Sequence, residues 1–178
     1  MNTAKLFHAD SGNLGKMKIL VVDDEPINVA LLEAMLHNGG YFCVKSLTDS
    51  SAVMDTCAAF DPDLVVLDLM MPQPDGFAIL ESLRSRQSEV FLPVIVLTAD
   101  INEESRSRAL AAGATDFLLK PFDQTEVLLR IRNLLEMRRL HLRLDNERAA
   151  LEDAVYARTS ELRQAQAELE QMKTSLAG

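Results

Sequence analysis

The 178-residue sequence has no tryptophan, only two cysteines, and no apolar run near the ~18 residues a membrane helix needs. Cys43 and Cys57 share no CxxC spacing, and each lies in an apolar segment, so they read as two reduced, buried thiols rather than a disulfide framework. Cationic residues are scarce: 18 Lys and Arg stand against 27 Asp and Glu, a net charge of −9. Nucleic-acid binding depends on Lys and Arg neutralising phosphates, so this chain is not expected to bind nucleic acid directly. The first residues include Lys5, Leu6 and Phe7, but no apolar signal core follows. A cytoplasmic protein with no membrane association is expected. Helix breakers are also missing from the last third: no proline follows Pro121, and no glycine occurs between Gly113 and Gly178.

What is present begins after a polar, glycine-containing stretch, residues 1–16, which reads as a loose leader. Lys18 to Val22 is a buried strand ending at Asp23-Asp24-Glu25. Pro26 suits a first helical turn, and Val29, Leu32 and Leu36 form a helical stripe closed by Asn38-Gly39-Gly40. A second strand is expected over about 41–45 and a helix over about 50–59, capped by Asp49 or Ser50. Asp61-Pro62 breaks the chain before Leu64-Val65-Val66-Leu67, a continuous apolar run of the kind covered on both faces, which ends by presenting Asp68. Phe77, Leu80 and Leu83 mark a third helix. Pro93 to Thr98 is a fourth strand, about 102–111 a polar helix stopped by Gly113, and Thr115 to Leu119 a fifth strand ending at Lys120-Pro121. Five β-then-α units with buried strands predict an α/β fold: a doubly wound, flavodoxin-like parallel sheet ordered 2-1-3-4-5.

Four strand ends then carry Asp23/Asp24, Asp68, Thr98 and Lys120, and in a parallel sheet those ends share one edge. Open α/β sheets bind ligands there. Three close carboxylates repel and call for a cation; an all-oxygen set of this size suits Mg²⁺. An Asp can attack phosphorus to give an aspartyl-phosphate, a Lys can hold a phosphoryl oxygen, and a Thr hydroxyl can donate to another. Each residue has a plainer reading. Asp23 or Asp24 could cap the first helix, Thr98 the fourth, and Lys120 could be a turn residue. All of these holding together is much the less economical account.

The set Val21-Val22-Asp23-Asp24-Glu25, Asp68-Leu69-Met70-Met71-Pro72, Asp75-Gly76, Leu97-Thr98-Ala99 and Lys120-Pro121-Phe122 closely resembles the receiver domain of two-component response regulators, over about residues 17–138. The resemblance implies that Asp68 accepts a phosphoryl group from a histidine kinase or phosphotransfer protein. It implies Mg²⁺ held by Asp24 directly, by Asp23 through water, by Asp68 and by the Met70 backbone carbonyl. Thr98 and Lys120 would contact the phosphoryl group, Phe117 would turn inward with Thr98 as a switch, and the Lys120-Pro121 bond would be cis. Phe117 has no phenolic hydroxyl to contribute. The loop Pro72-Gln73-Pro74 carries an extra proline.

Beyond Asp123 the pattern is helical throughout. A heptad over 134–176 places Leu134, Met137, Leu144, Leu151, Val155, Leu162, Ala165, Leu169, Met172 and Leu176 at a and d, with His141, Arg148 and Arg158 as polar exceptions and Glu168 and Lys173 at g and e. Residues 139–178 therefore read as a coiled-coil linker, the basis of a homodimer. Leu151 to Leu162 resembles the linker between receivers and cyclic-di-GMP output domains of the HD-GYP or GGDEF type, although no such motif occurs in the chain. A stop in mid-pattern at Gly178 suggests a piece of a longer protein more than a stand-alone adaptor. A haloacid-dehalogenase-type phosphatase is disfavoured: it needs a second Asp two residues after the nucleophile, where Met70 stands. A flavodoxin-like cofactor binder is disfavoured because Asp23-Asp24-Glu25 would repel a phosphate.

Overall fold

The computed structural model describes residues 14–72, 74–85, 91–99 and 103–176. Residues 1–139 and 140–178 are two units. The first contains strands β1 (Ile19–Val22), β2 (Val44–Leu47), β3 (Leu64–Asp68), β4 (Val94–Thr98) and β5 (Asp116–Leu119). They form one parallel sheet in the order β2-β1-β3-β4-β5. The helices are α1 (Pro26–Asn38), α2 (Val53–Phe60), α3 (Gly76–Ser85), α4 (Glu103–Ala111) and α5 (Gln124–Leu176). The flavodoxin-like fold and its strand order are as the alternation predicts.

Strand alternation divides the core in two. Ile19, Val21, Leu64, Val66, Ile95, Leu97 and Leu118 face a layer with Leu32 and Leu36 of α1 and Val127, Ile131 and Leu135 of α5. Leu20, Val22, Val65, Leu67, Val94 and Val96 face the other layer, with Val53 of α2, Ile79, Leu80 and Leu83 of α3, and Ala109 of α4. The three central strands are buried throughout, which is why they read as unbroken apolar runs.

Local signals set the helix ends. Pro26 opens α1, and Gly40 (φ 86°) follows its end. Asp49 takes the Ser51 N–H at 2.9 Å, capping a 3₁₀ turn that leads into α2. Asp61 stops α2 in the left-handed region at φ 51°, which Asp tolerates better than most residues. Asp123 accepts the Glu126 N–H at 3.0 Å at the start of α5.

Three expectations are corrected. Leu14, inside the stretch read as a loose leader, is fully buried in a 3₁₀ turn over Leu14–Lys16; one apolar residue in a polar stretch carries no periodicity to reveal it. The remainder of that leader, residues 1–13, lies outside the described residues, as does Gln73. The second strand starts at Val44, later than expected, because Tyr41 is used elsewhere: its N–H closes α1 on Leu36 O at 3.0 Å, and its ring is buried. Cys43 is exposed rather than buried, just ahead of this edge strand. Cys57 is half-buried, and burial pushes its thiol up to about 11. Iodoacetamide at pH 8 is therefore expected to label Cys43 quickly and Cys57 much more slowly in the folded protein, as peptide mass mapping over time will show. Equal rates would contradict this assignment.

The second unit is the continuation of α5, a helix of 53 residues in all. Leu140, Leu144, Leu151, Val155, Tyr156, Leu162 and Met172 are all exposed on it. Ion pairs Arg143–Glu147, Arg148–Glu152 and Arg158–Glu161 run along its surface at 2.8–2.9 Å. Exposed pairs of this kind add only tenths of a kcal/mol each, about 0.3–0.5.

Candidate functional site

The carboxyl edge of the sheet gathers the residues that the sequence singled out. β1 runs straight into Asp23, which is fully buried. Its Oδ1 accepts the Glu25 N–H at 2.9 Å and the Asn28 amide at 3.1 Å, and its Oδ2 accepts from Lys120 Nζ at 2.8 Å. Asp68, the last residue of β3, is also buried. Its Oδ1 accepts the Met70 N–H at 3.2 Å, and its Oδ2 accepts from Lys120 Nζ at 2.7 Å. Lys120 thus bridges two buried carboxylates from the end of the edge strand β5. Burial works against its charge, but the hydrogen bonds and charges of Asp23 and Asp68 outweigh that and hold its pKa above 10.5. Asp24 is half-buried, and oxygens of Asp23, Asp24 and Asp68 lie within 4.8 Å of one another.

The plainer readings meet competing contacts at Asp23 and Lys120. The N-cap of α1 is Glu25, which makes no side-chain cap bond, and Asp23 spends its oxygens on Glu25, Asn28 and Lys120. Lys120 spends its ammonium on Asp23 and Asp68. The Lys120-Pro121 bond is cis, as the resemblance implies.

Thr98 is buried at the end of β4 and Phe117 is half-buried in β5. Phe117 pairs with Val96, and Thr98 with Leu119. Phe117 packs with the α2/α3/α4 layer, as does Val96, and alternation puts Thr98 on that same face, one diagonal step from Phe117. The Arg130 guanidinium sits 5.8 Å from the Phe117 ring centroid while pairing with Asp116 at 2.8 Å. The Met70 side chain is largely exposed.

Two contributors went unread in the sequence. Asn28, on the first turn of α1, anchors Asp23; its spacing of five residues from Asp23 was the available signal. Gly76 was noted only as part of a motif. Its Cβ, were there one, would collide with the Asp68 carbonyl oxygen and lie 2.5 Å from Leu69 Cα. Only glycine lets α3 start this close to the end of β3.

The molecule is a doubly wound α/β domain that gathers three carboxylates, a lysine and a threonine at one strand edge. The chain belongs to the response regulator receiver domain family, whose model matches residues 19–132. It is 38% identical over 117 residues to the response regulator PleD of Caulobacter vibrioides, covering 66% of this chain and 26% of PleD. It is 29% identical over 158 residues to a probable cyclic di-GMP phosphodiesterase of Vibrio cholerae, covering 89% of this chain and 35% of that protein. The fold matches the receiver domain of sensor histidine kinase PA1611 of Pseudomonas aeruginosa, solved with a magnesium ion in its active-site cleft, at a TM-score of 0.62 and 29% identity, covering 67% of this chain and 98% of that one. The chain thus spans about a quarter to a half of the length of the curated relatives it matches. Receiver domains take a phosphoryl group from histidine kinases or phosphotransfer proteins and, beyond that transfer, are not enzymes. Among the described residues no helix is long and apolar enough to cross a membrane.

Proposed function

We propose that this chain is the receiving part of a cytoplasmic phosphorelay regulator in which Asp68 is the phospho-acceptor. The observation that carries the reading is the Asp23–Lys120–Asp68 bridge with Asp24 beside it. A carboxylate oxygen of Asp68 attacks the phosphorus of a phosphohistidine on the kinase or phosphotransfer partner. The P–N bond breaks, and the imidazole leaves with the electron pair. Lys120, already held against Asp68, pairs with a phosphoryl oxygen, and the Thr98 hydroxyl donates to another.

The donor set fits Mg²⁺: every candidate ligand is an oxygen, and Asp23 is the most enclosed of the three. Asp24, Asp68 and the Met70 carbonyl would hold the ion, with Asp23 behind through water. Bound Mg²⁺ would offset charge on the phosphoryl group in transfer.

The readout runs through Thr98 and Phe117. A new dianion at Asp68 draws Thr98 toward it and frees the diagonal space into which Phe117 turns, altering the α4/β5 surface. The chain acts as a homodimer joined through the receiver and the helical segment 139–178, whose exposed leucines otherwise face water. Its output is a cyclic-di-GMP-related domain. The likeness to the Vibrio cholerae phosphodiesterase supports this, because it covers 89% of the chain, more than the 66% covered by the likeness to PleD.

Incubation with acetyl phosphate and Mg²⁺, read by intact mass, is expected to add one phosphoryl group, and Asp68→Asn is expected to add none. No adduct on the wild type, with Mg²⁺ binding shown separately, would overturn the assignment.

A further inference from the structure

Of the exposed large apolar residues from Leu140 to Leu162, Leu144, Leu151, Val155 and Leu162 fit the heptad, while Leu140 and Tyr156 stand outside it. Leu140, Leu144, Leu151, Val155 and Leu162 are 52–67% exposed and spaced 4, 7, 4 and 7, a repeat of eleven. Leu140, the first of them, has no place at a or d of the heptad, whereas His141, Arg148 and Arg158 would all have to sit in its seam. From Leu162 the spacing changes: Ala165 and Met172 follow at 3 and 7, the heptad period.

We infer that the partner of this face is a second, parallel copy of the chain, in register, and that its seam has an eleven-residue period from Leu140 to Leu162 and a seven-residue period beyond. The inference rests on the homodimer proposed above and specifies its packing. At 3.6 residues per turn, eleven residues fall about 20° past three full turns, so this stripe winds slowly the opposite way to a heptad stripe. Measured from that line, Glu147 and Arg148 lie on opposite flanks, as do Arg158 and Thr159. In a parallel pair the left flank of one helix meets the right flank of the other, so Glu147 of one chain meets Arg148 of its partner. A heptad seam would instead set Arg148 against Arg148 and Arg158 against Arg158, like charges in the contact. The charges thus favour the eleven-residue register. Thr159 already satisfies its hydroxyl on Val155 O at 2.8 Å, which leaves its methyl to pack beside the seam. Arg148 and Arg158 are drawn sideways to Glu152 and Glu161. Leu162 is then a joint at which the two helices change from straight or right-handed winding to left-handed winding.

The test is disulfide crosslinking of single-cysteine variants of the whole chain in a Cys43→Ser, Cys57→Ala background. Leu140→Cys is expected to crosslink several-fold faster than His141→Cys, and Leu144→Cys and Leu151→Cys several-fold faster than Arg148→Cys. Rates at His141 and Arg148 equal to those at Leu144 and Leu151, or higher, would overturn the eleven-residue seam while leaving the homodimer standing. Leu151→Cys and Val155→Cys lie in the seam on either period. If neither crosslinks while sedimentation shows a monomer, the homodimer falls and the inference with it.

Discussion

Lys120→Met is expected to lower the stability of the receiver by about 3 kcal/mol at pH 7, the low end for breaking a buried ion pair, because the lysine side chain keeps 20% of its surface in water. The two carboxylates it leaves behind are 0% and 4% exposed and have no other cation against them among the described residues. The urea midpoint of the variant at pH 7 is therefore expected to fall below that of the wild type. In the wild type the lysine itself has a raised pKa; its contribution is intact below pH 10.5 and fades as pH climbs through its higher folded value. The acetyl phosphate adduct is expected to disappear as well. A variant as stable as the wild type at pH 7 would show that the bridge does not compensate Asp23 and Asp68.

Gly76→Ala is expected to cost about 2–3 kcal/mol, in the upper range for forcing an extra methyl into a packed site. What the new methyl meets is backbone: the Asp68 carbonyl oxygen, Leu69 Cα at 2.5 Å and the Asp68 carbonyl carbon at 3.0 Å. No rotamer change relieves that contact. Either the end of β3 shifts or α3 backs away, breaking the 3.3 Å hydrogen bond from Gly76 N to Leu69 O. The acceptor carboxylate moves in both cases. The variant should therefore combine a lower urea midpoint with slower adduct formation per folded molecule. Gly39→Ala makes a useful contrast, since its added methyl would meet Leu128 Cδ2, the end of a side chain that can rotate. A folded Gly76→Ala protein with wild-type stability would refute the close-approach account.

The sequence was legible where one physical cause dominated. Strands buried on both faces must be apolar on both faces, so β1, β3 and β4 stood out, and the charges that ended them stood out against them. The edge strand β2 was misplaced because half-buried Val44 and exposed Lys45 carry no such run, and the aromatic Tyr41 serves α1 instead. Leu14 was invisible for lack of neighbours of its kind. Asn28 was passed over because an amide on a first helical turn has an ordinary explanation; its two hydrogen bonds to Asp23 appear only once α1 is folded against the sheet. On the long helix the heptad matched most residues, and the rest passed for polar exceptions. Leu140 and Tyr156 are the exposed large apolar residues within its span that stand outside it.

The two-faced sheet has a practical meaning for anyone rewiring this module. Asp23, Asp68 and Lys120 share the parity of Val21, Val66 and Leu118, on the α1/α5 side, while Phe117 and Val96 belong to the opposite layer. On the roles proposed above, Asp68 and Lys120 thus lie across the sheet from Phe117, and Thr98, on the Phe117 face, joins the two at the rim. Gain could accordingly be tuned by repacking Val96, Ala109 and Phe117, leaving the reagent side untouched, much as an amplifier stage is adjusted without altering its input.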